Sequence, residues 1–187
     1  MAEILLVRHG VPACDHRARI AGREFARWVA EYDEAALDAD SVPPAELVTR
    51  ARDAGCLVTS SLRRSVESCA VLAPGRTALR DPLFDETGIP TALPLPLALR
   101  PLHWDALARA AWLVGWSPDT ESFRAASARA NRGADALRAM AATHGSVMLI
   151  GHGMLNTLIA RSLRRAGWRG TGSLRGYWDC CTFRGAT

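Results

Sequence analysis

Three short stretches of this chain are continuously apolar rather than alternating: residues 3–8 (EILLVR), 56–61 (CLVTSS) and 146–152 (SVMLIGH). Unbroken runs of this length predict strands covered on both faces, the habit of parallel sheets. Residues 77–82 (TALRDP) and 178–184 (WDCCTFR) are weaker strand candidates, expected nearer a sheet edge. Helical patterns fill the gaps. Residues 43–54 open on Pro43-Pro44 and stop before Gly55; residues 62–73 place Leu62, Val66, Cys69 and Leu72 at helical spacing and stop at Pro74-Gly75. The longest pattern, 118–142, is opened by Ser117-Pro118 and closed near Gly145, and 153–166 carries Met154, Leu155, Leu158, Ile159 and Leu163 before Gly167. Strands alternating with helices predict an α/β fold: a single three-layer α/β/α domain over residues 1–187 with a mainly parallel central sheet. A chain of this size buries roughly 70% of its unfolded surface and needs no staples.

One segment breaks the rhythm. Residues 82–104 contain Pro82, Pro90, Pro94, Pro96 and Pro101 among mostly apolar neighbours, which predicts a long, stiff cap or connection rather than regular helix. Composition adds mainly exclusions. The chain is 49% hydrophobic and 22% charged, with no apolar run near the ~20 residues that span a bilayer and no secretory leader pattern, so a cytoplasmic protein without a membrane partner is expected. All 23 basic residues are Arg, spread along the chain without aromatic-interleaved blocks, so no nucleic-acid partner is expected. The net charge of +4 still suits anionic small molecules. The five Cys (14, 56, 69, 180 and 181) match neither zinc nor redox spacing; free, mostly buried thiols are expected, with no metal and no cofactor. Cys180 and Cys181, adjacent in a strand, face opposite sides of the sheet.

The chemistry sits where strands stop. The first strand delivers Arg8-His9-Gly10, and the strand at 146–151 ends in Gly151-His152-Gly153 at the start of a helix. Ligands of parallel α/β sheets bind beyond the carboxyl ends of the strands, so both histidines are expected at one site. The strand at 56–60 runs into Ser-Ser-Leu-Arg-Arg-Ser, placing Arg63 and Arg64 at the same end of the sheet. Two histidines converging with arginines suit a phosphoryl group: guanidinium forks bind phosphate oxygens bidentately, neutral imidazole is a competent nucleophile, and a helix N-terminus adds amide donors.

The motifs LLVRHG, SSLRRS, LFDE and IGHG, in this order and spacing from residue 4 to 153, resemble the histidine phosphatase superfamily, in the branch similar to phosphoglycerate mutases. The resemblance implies His9 as the nucleophile that becomes phosphohistidine, Arg8 and Arg64 as phosphate clamps, and Glu86 as general acid. It also implies His152 as a donor to the phosphate oxygens, with Gly153 beside it in the phosphate-binding loop. A Glu86 pKa raised by burial under the Pro-rich segment would suit the acid's role. Arg63, Arg17, Arg100 and His103 are candidates for substrate contacts only. Asp15 departs from the pattern: it falls where mutase-like relatives place a phosphate-binding Asn, and would repel phosphate unless protonated or paired by Arg17 or Arg19. The expected activity is metal-independent hydrolysis of a small-molecule or phosphoprotein phosphomonoester. The alternatives are a phosphoglycerate-type mutase and a non-catalytic phospho-ligand binder. The apolar 87–102 stretch could also serve as a homodimer surface.

Overall fold

In the computed structural model, which describes residues 2–93 and 95–185, the elements run β1 (Glu3–Arg8), β2 (Ile20–Ala21), α1 (Gly22–Glu34), α2 (Ala45–Asp53), β3 (Cys56–Thr59), α3 (Arg63–Leu72) and β4 (Leu79–Arg80). A single 3-10 turn at Pro82–Phe84 follows, then β5 (Ala98–Leu99), α4 (Pro101–Leu113), α5 (Phe123–His144), β6 (Ser146–Gly151), α6 (Gly153–Arg165), β7 (Arg169–Gly172) and β8 (Cys180–Arg184). The main sheet has the order β4-β3-β6-β1-β8-β7. Its first four strands are parallel, and β8 and β7 add antiparallel pairing at the far edge. The expected mainly parallel α/β architecture is what the chain forms.

Strand alternation divides the core. Ile4, Leu6, Val58, Val147, Leu149, Cys181 and Phe183 pack against α5 and α6, whose buried faces include Ala126, Ala130, Ala134, Leu155 and Ile159. Leu5, Val7, Leu57, Met148 and Ile150 face the other way, against Leu47 and Ala51 of α2 and Cys69 and Leu72 of α3. Cys180 and Cys181 do fall on opposite faces, in these two separate clusters. The alanine run along α5 lets the helix lie close to the sheet. A third, smaller cluster joins α1 to α4 through Phe25, Trp104 and Ala108, with the Phe25 and Trp104 rings stacked 5.9 Å apart. It forms a cap over one end of the sheet, tied by the short antiparallel pairing of β2 with β5.

Three helices depart from the sequence-based expectation. In the Pro-rich segment, Pro101 is the first residue of α4, where a missing N–H costs nothing, so the proline opens a helix instead of excluding one. Pro94 of that segment lies outside the described residues. Helix α1 has no Ser, Asp or Pro at its start; its entry is satisfied instead by Glu24, whose carboxylate accepts the Ala21 N–H at 2.8 Å. Helix α5 begins five residues later than Pro118, at the Ser122 cap, whose hydroxyl accepts the Ala125 N–H at 3.2 Å. The residues before it are drawn into a tertiary contact: the Asp119 carboxylate accepts the N–H groups of Thr91 and Ala92. Trp104 and Trp112 can be fully buried because each indole N–H has a carbonyl partner, Ile20 at 2.9 Å and Glu121 at 2.7 Å. Among the described residues, no helix is long and apolar enough to cross a membrane.

Leu149 lies at the centre of β6, flanked by Leu6 and Val58, and is fully buried. Leu149→Ala should therefore lower the unfolding free energy by about 2–5 kcal/mol in urea titration; a loss under ~1 kcal/mol would contradict this packing.

Candidate active site

Parallel register brings the two histidines together. Arg8 pairs with Gly151 across β1 and β6, and the next N–H, of His9, donates to the Gly151 carbonyl at 2.9 Å. The rings of His9 and His152 then lie 5.1 Å apart, both essentially buried. His9 Nδ1 sits 2.7 Å from the Gly10 carbonyl, which can only accept, so Nδ1 carries the proton and Nε2 is left with its lone pair. Arg64 Nε–H points at that lone pair from 3.3 Å. Burial, with the neighbouring His152, Arg64 and Arg8, holds the His9 pKa well below the ordinary value and keeps the ring neutral. Gly10 has no alternative here: a Cβ would stand 2.3 Å from the Trp178 ring.

The donors around His9 are fixed to different degrees. Arg64 is fully buried, and its guanidinium donates to the carbonyls of Tyr32 and Asp33 and to the Asp33 carboxylate at 3.2 Å. Arg8 donates through one terminal nitrogen to the Arg175 carbonyl, and its buried Nε has no partner. His152 contacts the Ser60 hydroxyl through Nε2 at 2.7 Å, and its buried Nδ1 also has no partner. Unpaired buried polar atoms are rare and costly, and two of them beside His9 suit an anion that would accept from both. Serines of α3 brace the floor: Ser65 donates to the Ile150 carbonyl and accepts the Ser60 N–H, while Ser68 accepts the Gly10 N–H at 3.0 Å.

The adjacent carboxylates Asp85 and Glu86 have different tasks. Asp85 is spent on Ser61, accepting its N–H and its hydroxyl, both at 2.6 Å. Glu86 reaches the N-terminus of α6, where its oxygens accept the N–H groups of Leu155 at 2.9 Å and Met154 at 3.2 Å, besides that of Thr87 at 2.8 Å. The sequence-based expectation of a raised Glu86 pKa is corrected here. Burial pushes it up, but the Arg109 charge and these three amides together outweigh burial and hold it below the ordinary value. Arg109 and Arg129 also pin the surrounding loop through the carbonyls of Thr87, Gly88, Leu83 and Asp85.

Above this floor lies a cavity of about 540 Å³. Arg8, Arg64, Glu86 and Gly153 are on its wall; His9 and His152, both buried, are not among its lining residues. Arg63, Arg17, Arg100 and His103 are not on that wall; Arg63, for one, is turned outward to Glu67 at 2.6 Å. Asp15 is not on it either, and neither Arg17 nor Arg19 pairs with it through a side chain. Its carboxylate accepts the backbone N–H groups of Arg17 and Ala18, which lower its pKa, and Arg19 is turned to the Ala98 carbonyl. The cavity also holds residues that the sequence reading passed over: Tyr32 and Asp33 on α1, Asp105 and Arg109 on α4, and Arg175 and Tyr177 before β8. The first four come from helices that lacked start signals or began in a proline-rich stretch, and the last two lie beyond the final motif. Burial raises the pKa of Asp33 and of Asp105 despite the arginines beside them. Among the described residues, no three His, Cys, Asp or Glu side chains converge to hold a metal.

The fold is that of the histidine phosphatase or phosphoglycerate mutase-like proteins. The chain is similar to a mycobacterial glucosyl-3-phosphoglycerate phosphatase at 22% identity, over 88% of this chain and 80% of that one, with a TM-score of 0.57. It is similar to a phosphoserine phosphatase from Entamoeba histolytica, solved with phosphoserine, at 12% identity over 98% and 91% of the two chains and a TM-score of 0.62. A protein described as mycobacterial hydrolase 1 aligns at 20% identity over 100% and 98%, with a TM-score of 0.59. At these identities the likeness establishes the fold. No family model matches the sequence, and no curated protein matches it.

Both site histidines bind a proton less readily in the folded chain than the ordinary 6.5. Below that value the unfolded chain takes up protons that the folded one refuses, so this contribution to stability is complete above pH 6.5 and is lost as pH falls. Urea unfolding between pH 7 and pH 5 should show stability declining toward acid, with a shallower decline in His152→Gln. An equal slope in the two proteins would contradict the buried neutral pair.

Proposed function

We propose that this protein is a metal-independent phosphatase that hydrolyses a phosphomonoester through phosphohistidine at His9. The observation that carries the reading is the unprotonated Nε2 of His9, together with two buried donors on neighbouring residues, Arg8 Nε and His152 Nδ1, that lack partners. Phosphoryl transfer asks mainly for positioning and charge neutralisation, which Arg8 and Arg64 supply as cations and neutral His152 assists as a hydrogen-bond donor, without a metal. Nε2 attacks phosphorus in line, the N–P bond forms, and the P–O bond to the alcohol breaks. Glu86 gives the departing oxygen a proton; in the second half-reaction it takes one from the water that cleaves phosphohistidine.

The lowered Glu86 pKa fits this scheme if the proton arrives with the substrate. A phosphate monoester loses its second proton near ~6, so a monoanion beside ionised Glu86 has the same composition as a dianion beside protonated Glu86. Binding an anion next to Glu86 drives the proton onto the carboxylate. Asp105 and the Arg64-paired Asp33 are also on the cavity wall, beside Arg109 and Arg175; the carboxylates weigh against the second anionic group that a phosphoglycerate-type mutase must hold, which favours hydrolysis. The phosphatases named among the structural neighbours support the same class of reaction. Small phosphomonoesters and phosphoproteins both remain within the substrate class.

An aryl phosphate assayed from pH 4.5 to 8 with chelator present should be turned over by the wild type and not by His9→Ala. The value of kcat/KM should fall above about pH 6, as the substrate monoanion disappears. Glu86→Gln should lose ~10²–10⁴-fold. His9→Ala with wild-type turnover would overturn the reading.

A further inference from the structure

We infer that the loop between β7 and β8, through the ring of Tyr177, is the positioning device for the phosphate clamp Arg8; the inference rests on the phosphatase reading only for what the clamp is used for. Among the described residues, the hydrogen bonds and the ring contact that hold Arg8 beyond its pairing with β6 come from this loop. The Arg8 guanidinium lies over the Tyr177 ring, 4.5 Å from its centroid, and donates to the Arg175 carbonyl. The Arg8 N–H donates to the Asp179 carbonyl at 3.0 Å, and the Arg8 carbonyl accepts the Trp178 N–H at 3.1 Å. Tyr177 also walls the nucleophile, its ring centroid 5.6 Å from that of His9.

The loop is built to hold this posture. Trp178 is the one non-glycine residue among those described with a positive φ, 61°. That strained conformation persists only where the surroundings over-determine it, as they do here. The Trp178 indole N–H donates to the Ser41 hydroxyl at 3.0 Å, and its ring fills the space that the missing Gly10 side chain leaves. The Asp179 carboxylate closes the other side, accepting the N–H groups of Arg175 and Gly176 and the Ser173 hydroxyl. Arg64 provides the contrast. It too lies over a tyrosine, Tyr32 at 4.6 Å, but it is also anchored by two carbonyls and a carboxylate. Arg8 has one carbonyl and a ring, so the ring matters more.

The test is a double-mutant cycle on phosphate binding, read by calorimetry with inorganic phosphate as the probe. Binding reports on the clamp whether or not a substrate is turned over, so a failure of the phosphatase reading, seen as absent His9-dependent hydrolysis, is recorded separately. Tyr177→Leu should weaken phosphate binding about tenfold, and Tyr177→Phe, which keeps the ring, should recover it to within about threefold. In an Arg8→Gln background, Tyr177→Leu should cost less than about twofold, because the partner it positions is gone. Equal losses in the two backgrounds would mean a general structural role, and undiminished binding by Tyr177→Leu would mean no role; either overturns the inference. Should Tyr177→Leu fail to fold, Asp179→Ala releases the same loop and should show the same Arg8-dependent loss; a loss independent of Arg8 would overturn the inference there too. A wild type that binds no phosphate removes the clamp and the inference together.

Discussion

The site depends on the register between β1 and β6. Because Arg8 lies opposite Gly151, the two strands stop at the same height, and the residues that follow, His9 and His152, are forced into contact though they are far apart in the chain. A slip of one residue would exchange the faces of every side chain on β1, moving Leu5 and Val7 out of one core cluster and Ile4 and Leu6 out of the other. Register is therefore fixed by burial on both faces of the sheet, and the rigidity of the hydrophobic core is transmitted directly to the imidazole at its end. Ser65 and Asn156 extend the same constraint, tying α3 to the Ile150 carbonyl and α6 to the Val7 carbonyl.

Electrostatics then divides the labour among groups that the register has gathered. His9 is kept neutral by burial beside His152, Arg64 and Arg8, which preserves the lone pair on Nε2; Arg64 is paired with Asp33, while Arg8 Nε and His152 Nδ1 have no partner. Glu86 is held ionised by helix amides and Arg109, the opposite of the usual picture of a general acid raised by burial. The free site is thus arranged around a missing negative charge rather than around a stored proton. In the proposed reaction a phosphate monoester would supply that charge and, as a monoanion, the proton.

Much of this was legible in the sequence because the signals were local. The three apolar runs became β1, β3 and β6, and the residues that end them, His9, Arg64 and His152, lie together at the carboxyl edge of the sheet. What was not legible depended on tertiary context. Helix α1 caps its start with Glu24 rather than a marker residue, and α4 opens on a proline inside a segment that read as irregular; with them went Tyr32, Asp33, Asp105 and Arg109. The ionisation of Glu86 could not be read because Met154 and Leu155, whose amides hold it, are distant in the chain. The loop carrying Tyr177 has no motif at all: its posture follows from a strained Trp178 packed on Gly10, a relation visible only in three dimensions.

The central claim, that the lone pair of His9 Nε2 is the nucleophile, is tested most directly by trapping the phosphorylated protein. Wild type mixed with excess aryl phosphate and quenched in alkali, then mapped by mass spectrometry, should carry an acid-labile, alkali-stable phosphate on His9. Turnover with no phosphate on His9, or with phosphate on a serine instead, would contradict it.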